Sequence, residues 1–181
     1  MRFLAADPGV VIGTHFRTAR AAFIYEGAVR RALQKLKYGG VARLAVPLAD
    51  AAVPTLRDLM SETGPALLVP VPVHPIRQRE RGYNQAKLLA RRLAQRCEAP
   101  MADLLVRTRP TVKQHTLDRA GRLRNLASAF VLRQPGPRPP PGAVIVIDDI
   151  MTTSATLETC AAVRVAAGAR DVYGLAIARE V

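Results

Sequence analysis

The chain has 181 residues, 49% of them apolar and 23% charged, a balance that excludes a disordered, collagenous or coiled-coil protein and suffices for one well-buried domain. Its formal net charge is +13, with 23 arginines against four lysines, and that skew favours planar, bidentate binding of phosphate or carboxylate and points to polyanionic partners. No apolar run approaches the ~20 residues of a membrane-spanning helix, so no membrane insertion is expected. Asp7 and Pro8 interrupt any apolar run after Arg2, which reads as no export signal and a cytoplasmic protein.

Residues 1–22 show no clear period and read as an irregular lead; the domain proper is expected over 23–181, beginning with a short strand at Ala22–Tyr25. From Ala28 to Tyr38, Val29, Leu33 and Leu36 share a helical face, while Arg30, Arg31, Lys35 and Lys37 form a basic exterior; Gly39 and Gly40 end the helix. A second helix is expected over 41–52 despite Pro47, and a third over 56–62. Ala66–Val71 is a continuous apolar run bounded by Gly64-Pro65 and by Pro70 and Pro72, as in a buried parallel strand. A charged turn with Arg77, Arg79 and Arg81 follows, then a long amphipathic helix from Gly82 to about Arg96.

Leu104–Val106 reads as a short strand, Arg107–Thr116 as a polar stretch, Leu117–Ala127 as a helix and Phe130–Leu132 as a strand. Gln134–Gly142, with five prolines and two glycines, is an extended connector. Ala143–Ile147 is the clearest buried strand, Ser154–Ala167 the helix after it, ended by Gly168, and Val172–Ala178 the last strand. Strands alternating with helices predict an open α/β sheet, mainly parallel, with helices on both faces. Cys97 and Cys160 each sit in an apolar helical pattern and read as core, too far apart in sequence for a zinc-ligand spacing.

Ligands of such sheets bind beyond the carboxyl ends of the strands, where Asp148 and Asp149 follow Ile147. Thr152-Thr153-Ser154-Ala155-Thr156 then leads into a helix, offering backbone N–H groups, the positive helix end and hydroxyls to a phosphate. Two acids beside a phosphate site make sense for a sugar phosphate, whose hydroxyls they accept. Helix capping by Thr153 or Ser154 is expected too, although Leu157 at the third position past Ser154 leaves the capping box incomplete.

Val144 to Leu157, Val-Ile-Val-Ile-Asp-Asp-Ile-Met-Thr-Thr-Ser-Ala-Thr-Leu, resembles the phosphoribosyl pyrophosphate (PRPP) motif of type I phosphoribosyltransferases. Together with Tyr25-Glu26-Gly27, Leu36–Gly40, Val69–Pro72, His74-Pro75, Arg79–Gln85 and Arg107-Thr108-Arg109, it is similar to the ComF family of competence-associated, phosphoribosyltransferase-like proteins. The resemblance implies a type I phosphoribosyltransferase-like fold and a ligand that is PRPP or ribose 5-phosphate, carried with Mg²⁺ and without direct protein ligation of the metal. It implies PRPP contacts from Asp148, Asp149, Thr152, Thr153, Ser154, Ala155 and Thr156. By order along the chain, a pyrophosphate loop falls on Val71, Pro72, His74, Arg77, Arg79 and Arg81, and a mobile lid on Arg107–Gln114. Asp148, Asp149, Arg107 and Arg109 are the expected catalytic groups, and His74 either serves as a base or orders its turn. Tyr83 and Asn84 suit a helix cap or a ligand contact equally.

The implied reaction displaces pyrophosphate from ribose C1 by a nitrogen nucleophile of unknown identity. The alternative is a non-catalytic ribose-phosphate sensor or a single-stranded-DNA-binding component of DNA uptake. Implied partners are single-stranded DNA, competence or DNA-uptake helicase proteins, and a second copy of the chain. Many family members open with a zinc ribbon of CxxC pairs; this chain has none, and no zinc is expected. Ser154 stands where the phosphate loop usually has glycine, so a positive φ there would strain the site.

Overall fold

A computed structural model describes residues 9–109, 129–133 and 142–181. Its main sheet has five strands: β1 (Val10–Val11), β2 (Ala19–Ile24), β3 (Ala66–Pro70), β6 (Ala143–Met151) and β7 (Val172–Arg179), in the order β1-β2-β7-β6-β3. Only the β1–β2 pair is antiparallel. A separate antiparallel pair joins β4 (Leu105–Arg107) to β5 (Phe130–Leu132). The helices are α1 (Gly27–Tyr38), α2 (Ala45–Thr63), α3 (Pro75–Arg81), α4 (Gln85–Cys97) and α5 (Ala155–Ala166). The expected architecture, an α/β sheet that is mostly parallel with helices on both faces, is the one observed.

The pleat of β6 separates two cores, as alternating side chains must. Ile145 and Ile147 face a layer made by Leu33 and Leu36 of α1, by α2, and by Leu89 and Leu93 of α4. Val144 and Val146 face Leu157, Cys160 and Ala161 of α5 together with Leu105 and Phe130 of the small sheet. Gly174 of β7 lets α5 approach, since a Cβ there would lie 2.8 Å from the Ala19 Cβ and 3.0 Å from Leu157. None of the described helices is long and apolar enough to cross a membrane.

Several elements differ from the sequence expectation. Within residues 9–22 the expected irregular lead contains regular structure: β1 pairs with β2, and β2 begins at Ala19 rather than Ala22. The two helices expected either side of residue 54 are one, α2, preceded by a 3₁₀ turn at Ala42–Leu44. Pro47 falls in its first turn, where a missing N–H costs nothing, and Pro54 lies on the exposed side. Burial of Leu48, Ala49, Ala52, Val53, Leu56 and Leu59 outweighs the ~3 kcal/mol an interior proline costs, at ~1.5–3 kcal/mol for each large side chain.

The charged turn after β3 contains a helix, α3, with Pro75 at its start and left-handed Gly82 (φ +80°) at its end. Strand β4 runs one residue further than expected, to Arg107, and β6 four further, to Met151. The helix expected over Leu117–Ala127, residues 110–114 of the lid and nearly all of the Gln134–Gly142 connector lie outside the described residues.

Candidate functional site

Asp148 and Asp149 do not follow β6; they belong to it. Asp148 pairs with Ala176, Ile150 with Ala178 and Met151 with Arg179, so β7 carries β6 past the acids. Asp149 lies on the α1 side, in contact with that helix's Lys37, while the charge of Asp148 is felt at Arg107 of β4 and Cys160 of α5. Both acids are buried, at 8% exposure for Asp148 and 3% for Asp149. Each anchors the chain as well: Asp148 Oδ1 accepts from the Asp149 N–H at 2.8 Å, and Asp149 Oδ1 from the Ile150 N–H at 3.0 Å.

The partner of Asp149 is Lys37, in the last turn of α1, with Nζ 3.0 Å from Oδ2. The sequence expectation put Lys37 on a solvated basic face; it is the one basic residue of α1 that turns inward, with 21% of its side chain exposed. Burial pulls the Lys37 ammonium down, but the charges of Asp149 and then Asp148 outweigh it and hold the pKa above that of an ordinary lysine. Burial, followed by the neighbouring Asp149 charge, pushes the Asp148 carboxyl well above the usual carboxylate range, with Lys37 opposing. The Asp148 charge is felt at the Arg107 guanidinium and the Cys160 thiol; burial lowers the Arg107 pKa, with Asp148 opposing, and burial followed by the charge of Asp148 raises the Cys160 thiol well above its usual range.

Beyond Met151 the chain bends through Thr152 and Thr153, both exposed, to Ser154 at φ +56°, ψ 0°. The left-handed conformation expected of the usual glycine is therefore held by a serine. Its hydroxyl donates to the Thr153 carbonyl at 2.6 Å, so Ser154 does not cap α5 as expected; no side chain caps that helix. Ala155 and Thr156 open α5 behind it. Its first turn is held from outside by Glu158, whose Oε1 accepts from the Thr14 and His15 N–H groups at 3.0 and 2.7 Å and lies 2.8 Å from His15 Nδ1.

The expected pyrophosphate loop divides. Val71 and Pro72 are buried just past β3, with the Val71 N–H donating to Ile147 O at 2.9 Å, which brings this turn beside the acidic strand end. His74 caps α3, Nδ1 accepting from the Ile76 N–H at 3.4 Å, which is the turn-ordering role. Arg77 is exposed and paired with Glu80 at 2.9 Å, and Arg79 is exposed. Arg81 turns back instead: Nη1 donates to Gln85 Oε1 at 3.0 Å, its guanidinium lies 5.2 Å from the centre of the Tyr38 ring, and its charge is felt at Arg107.

Arg107 is not part of a loose polar stretch. It ends β4 opposite Phe130, 5.3 Å over that ring. Arg109 is exposed. Tyr83 and Asn84 both make contacts within the fold. The Tyr83 hydroxyl donates to Leu36 O in α1; Asn84 caps α4 by accepting from the Lys87 N–H at 3.1 Å and donates to Val71 O at 3.0 Å. The converging set is thus Asp148, Asp149, Lys37 and Arg107, with Arg81 beyond it. Lys37 was missed because its partner lies in a strand far along the chain.

The parallel sheet, the acid pair at its carboxyl edge and the turn into α5 define an α/β domain of phosphoribosyltransferase-like architecture. The chain is similar to competence protein F and to DNA utilization proteins. It is 34% identical over 115 residues to competence protein F of Haemophilus influenzae, covering 62% of this chain and 50% of that protein. It is 30% identical over 145 residues to the DNA utilization protein YhgH of Escherichia coli K12 and over 146 residues to that of Salmonella typhi, each time covering 77% of this chain and 62% of the relative. The chain spans half to about three fifths of the length of these curated relatives. No family model matches it.

Proposed function

We propose that the carboxyl edge of the sheet binds the ribose phosphate part of PRPP. The observation that carries this reading is the pair of consecutive buried carboxylates on β6, three residues before a bend that opens an uncapped helix N-terminus. The phosphate takes the N–H groups and hydroxyls of 152–156, where the helix dipole favours an anion. The ribose hydroxyls donate to the acids one sugar-length away. Arg107 and Arg81 supply positive charge toward a leaving pyrophosphate. Transfer then breaks the C1–oxygen bond and forms a C1–nitrogen bond, the nucleophile's proton passing to solvent, with orientation and charge neutralisation as the chain's contribution.

Among the described residues no group of three His, Cys, Asp or Glu could hold a metal, and Asp149 is engaged by Lys37. Mg²⁺ would arrive with the ligand, beside the Asp148 and Asp149 carboxylates. When bound there, it offsets the pyrophosphate charge.

Calorimetry with PRPP and Mg²⁺ tests the reading. Replacing both acids, Asp148→Asn with Asp149→Asn, is expected to weaken binding about tenfold or more, since even one charged acceptor is worth ~1.5–3 kcal/mol. Absence of binding by folded wild-type protein at millimolar PRPP refutes it.

A second reading rests on the exposed face of α1, where Arg30, Arg31 and Lys35 point outward. We infer that this face holds single-stranded nucleic acid through its phosphates. Competence and DNA utilization in the names of the relatives support this role.

A further inference from the structure

Helix α1 ends on an aromatic ring that the core does not use. Among the described residues, Phe16 and Phe130 lie in one hydrophobic layer, and Phe23, Tyr25, Tyr83 and Tyr173 pack against the other. Tyr38 joins neither and is 69% exposed. The ring is held all the same. The Arg81 guanidinium lies 5.2 Å from its centre, and Arg81 is tied in turn to Gln85 of α4. The backbone beneath the ring is fixed by the two preceding residues, since the Leu36 carbonyl accepts from the Tyr83 hydroxyl and Lys37 contacts Asp149.

A single exposed apolar side chain is common on protein surfaces; the charge beside this one sets it apart. Arg31, Lys35 and Tyr38 stand at i, i+4 and i+7 and so share one face of α1 over two turns. All three are exposed, and α1 contains no acidic residue. Read along the helix, that face offers two cations and then a ring. Proteins hold a single strand with this combination, basic groups following the phosphates while a ring takes a base. A duplex, whose bases are already stacked, has none to offer the ring.

We propose that Tyr38, backed by Arg81, is a stacking platform for one base of a single-stranded nucleic acid whose phosphates lie along Arg31 and Lys35. The proposal rests on the reading of α1 as a nucleic-acid face and adds a base contact to it. The guanidinium covers one side of the ring, and the open side receives the base. Because Arg81 and the anchored turn hold the ring before the strand arrives, stacking costs little further ordering. Every base has a π face, so the contact favours strands that carry bases over bare sugar-phosphate without reading their sequence. The same ring would accept a free nucleobase; the two cations that continue along α1 favour the strand.

The test compares two labelled single strands of equal length, an oligothymidylate and an abasic strand with the same number of phosphates, by fluorescence anisotropy along a salt series. Wild-type protein is expected to bind the base-bearing strand about fivefold or more tighter. In Tyr38→Ala that preference is expected to vanish, while abasic affinity and the salt slope stay at wild-type values because no phosphate contact is lost. Tyr38→Phe keeps the ring and is expected to keep the preference. Tyr38→Leu, apolar without a π face, is expected to lose it and replaces Tyr38→Ala should that variant not fold. Tyr38→Trp places an indole in a chain that otherwise has none, and its emission is expected to be quenched by the oligothymidylate and not by the abasic strand. A folded Tyr38→Ala protein with an unchanged preference overturns the proposal, as does an equal loss on both strands. Wild-type protein that binds the two strands equally leaves the phosphate reading of α1 standing and overturns the platform; wild-type protein that binds neither refutes both. If Tyr38→Ala weakens binding of free thymidine and leaves the strand preference intact, the ring takes a free base and the proposal fails.

Discussion

Replacing Ser154 by glycine is expected to stabilise the protein, although the residue stands in the middle of the candidate site. At φ +56°, ψ 0° its Cβ crowds the following carbonyl, which costs ~1–2 kcal/mol for an L-residue. Glycine removes that strain, and the added freedom of the unfolded chain takes back ~0.5–1 kcal/mol. The hydroxyl bond to the Thr153 carbonyl is also lost, but this contact is local and accessible to water, so its loss sits at or below the ~0.5 kcal/mol end of the usual range. The net expectation is a gain of ~0.5 kcal/mol, or a Tm higher by about 1–2 °C in a chain of this size. Ser154→Ala is the control, since it loses the hydroxyl and keeps the Cβ; its Tm is expected at or slightly below wild type. Thermal melts of the three proteins at one pH and salt decide the matter. If Ser154→Gly melts no higher than Ser154→Ala, backbone strain is not what distinguishes this turn.

Asn84→Ala removes both the α4 cap and the bond to Val71 O, and a loss of ~2–3 kcal/mol is expected by urea unfolding; Asn84→Asp, which keeps only the acceptor, should recover about half, and a fully wild-type Asn84→Ala curve would refute the anchoring role. For single-stranded nucleic acid, about four to six neutralised phosphates give a slope of log affinity against log salt near −3 to −4. Charge reversal at Arg30, Arg31 and Lys35 should weaken that binding without unfolding the domain, because all three are solvent-exposed or half-exposed, and an unchanged affinity and slope would exclude α1 as the docking face.

The strands and helices most legible in the sequence are those whose signal is local. Apolar runs between glycine and proline locate β3 and the first half of β6, β5 falls on Phe130–Leu132 as expected, and paired glycines end α1 at Tyr38. The acid pair and the hydroxyl turn were visible for the same reason: they are consecutive residues at a strand-to-helix junction. Helix α3 was equally local, with proline at its start and glycine after its end, and was passed over because its arginines read as a charged turn.

Tertiary structure decided what depends on partners remote in sequence. Burial against α4 and the sheet carries α2 past Pro54, which propensity alone would not allow. Pairing with β7 extends β6 through Asp148 and Asp149, and only that extension sends the two acids toward different faces. Periodicity gave α1 its apolar stripe of Val29, Leu33 and Leu36, but a helical pattern cannot say which polar residue meets a carboxylate on another strand. Lys37 does so because Tyr83 and Arg81 tie the end of α1 beside β6, a placement made by packing and hydrogen bonding across the fold rather than by the residues next to it in the chain.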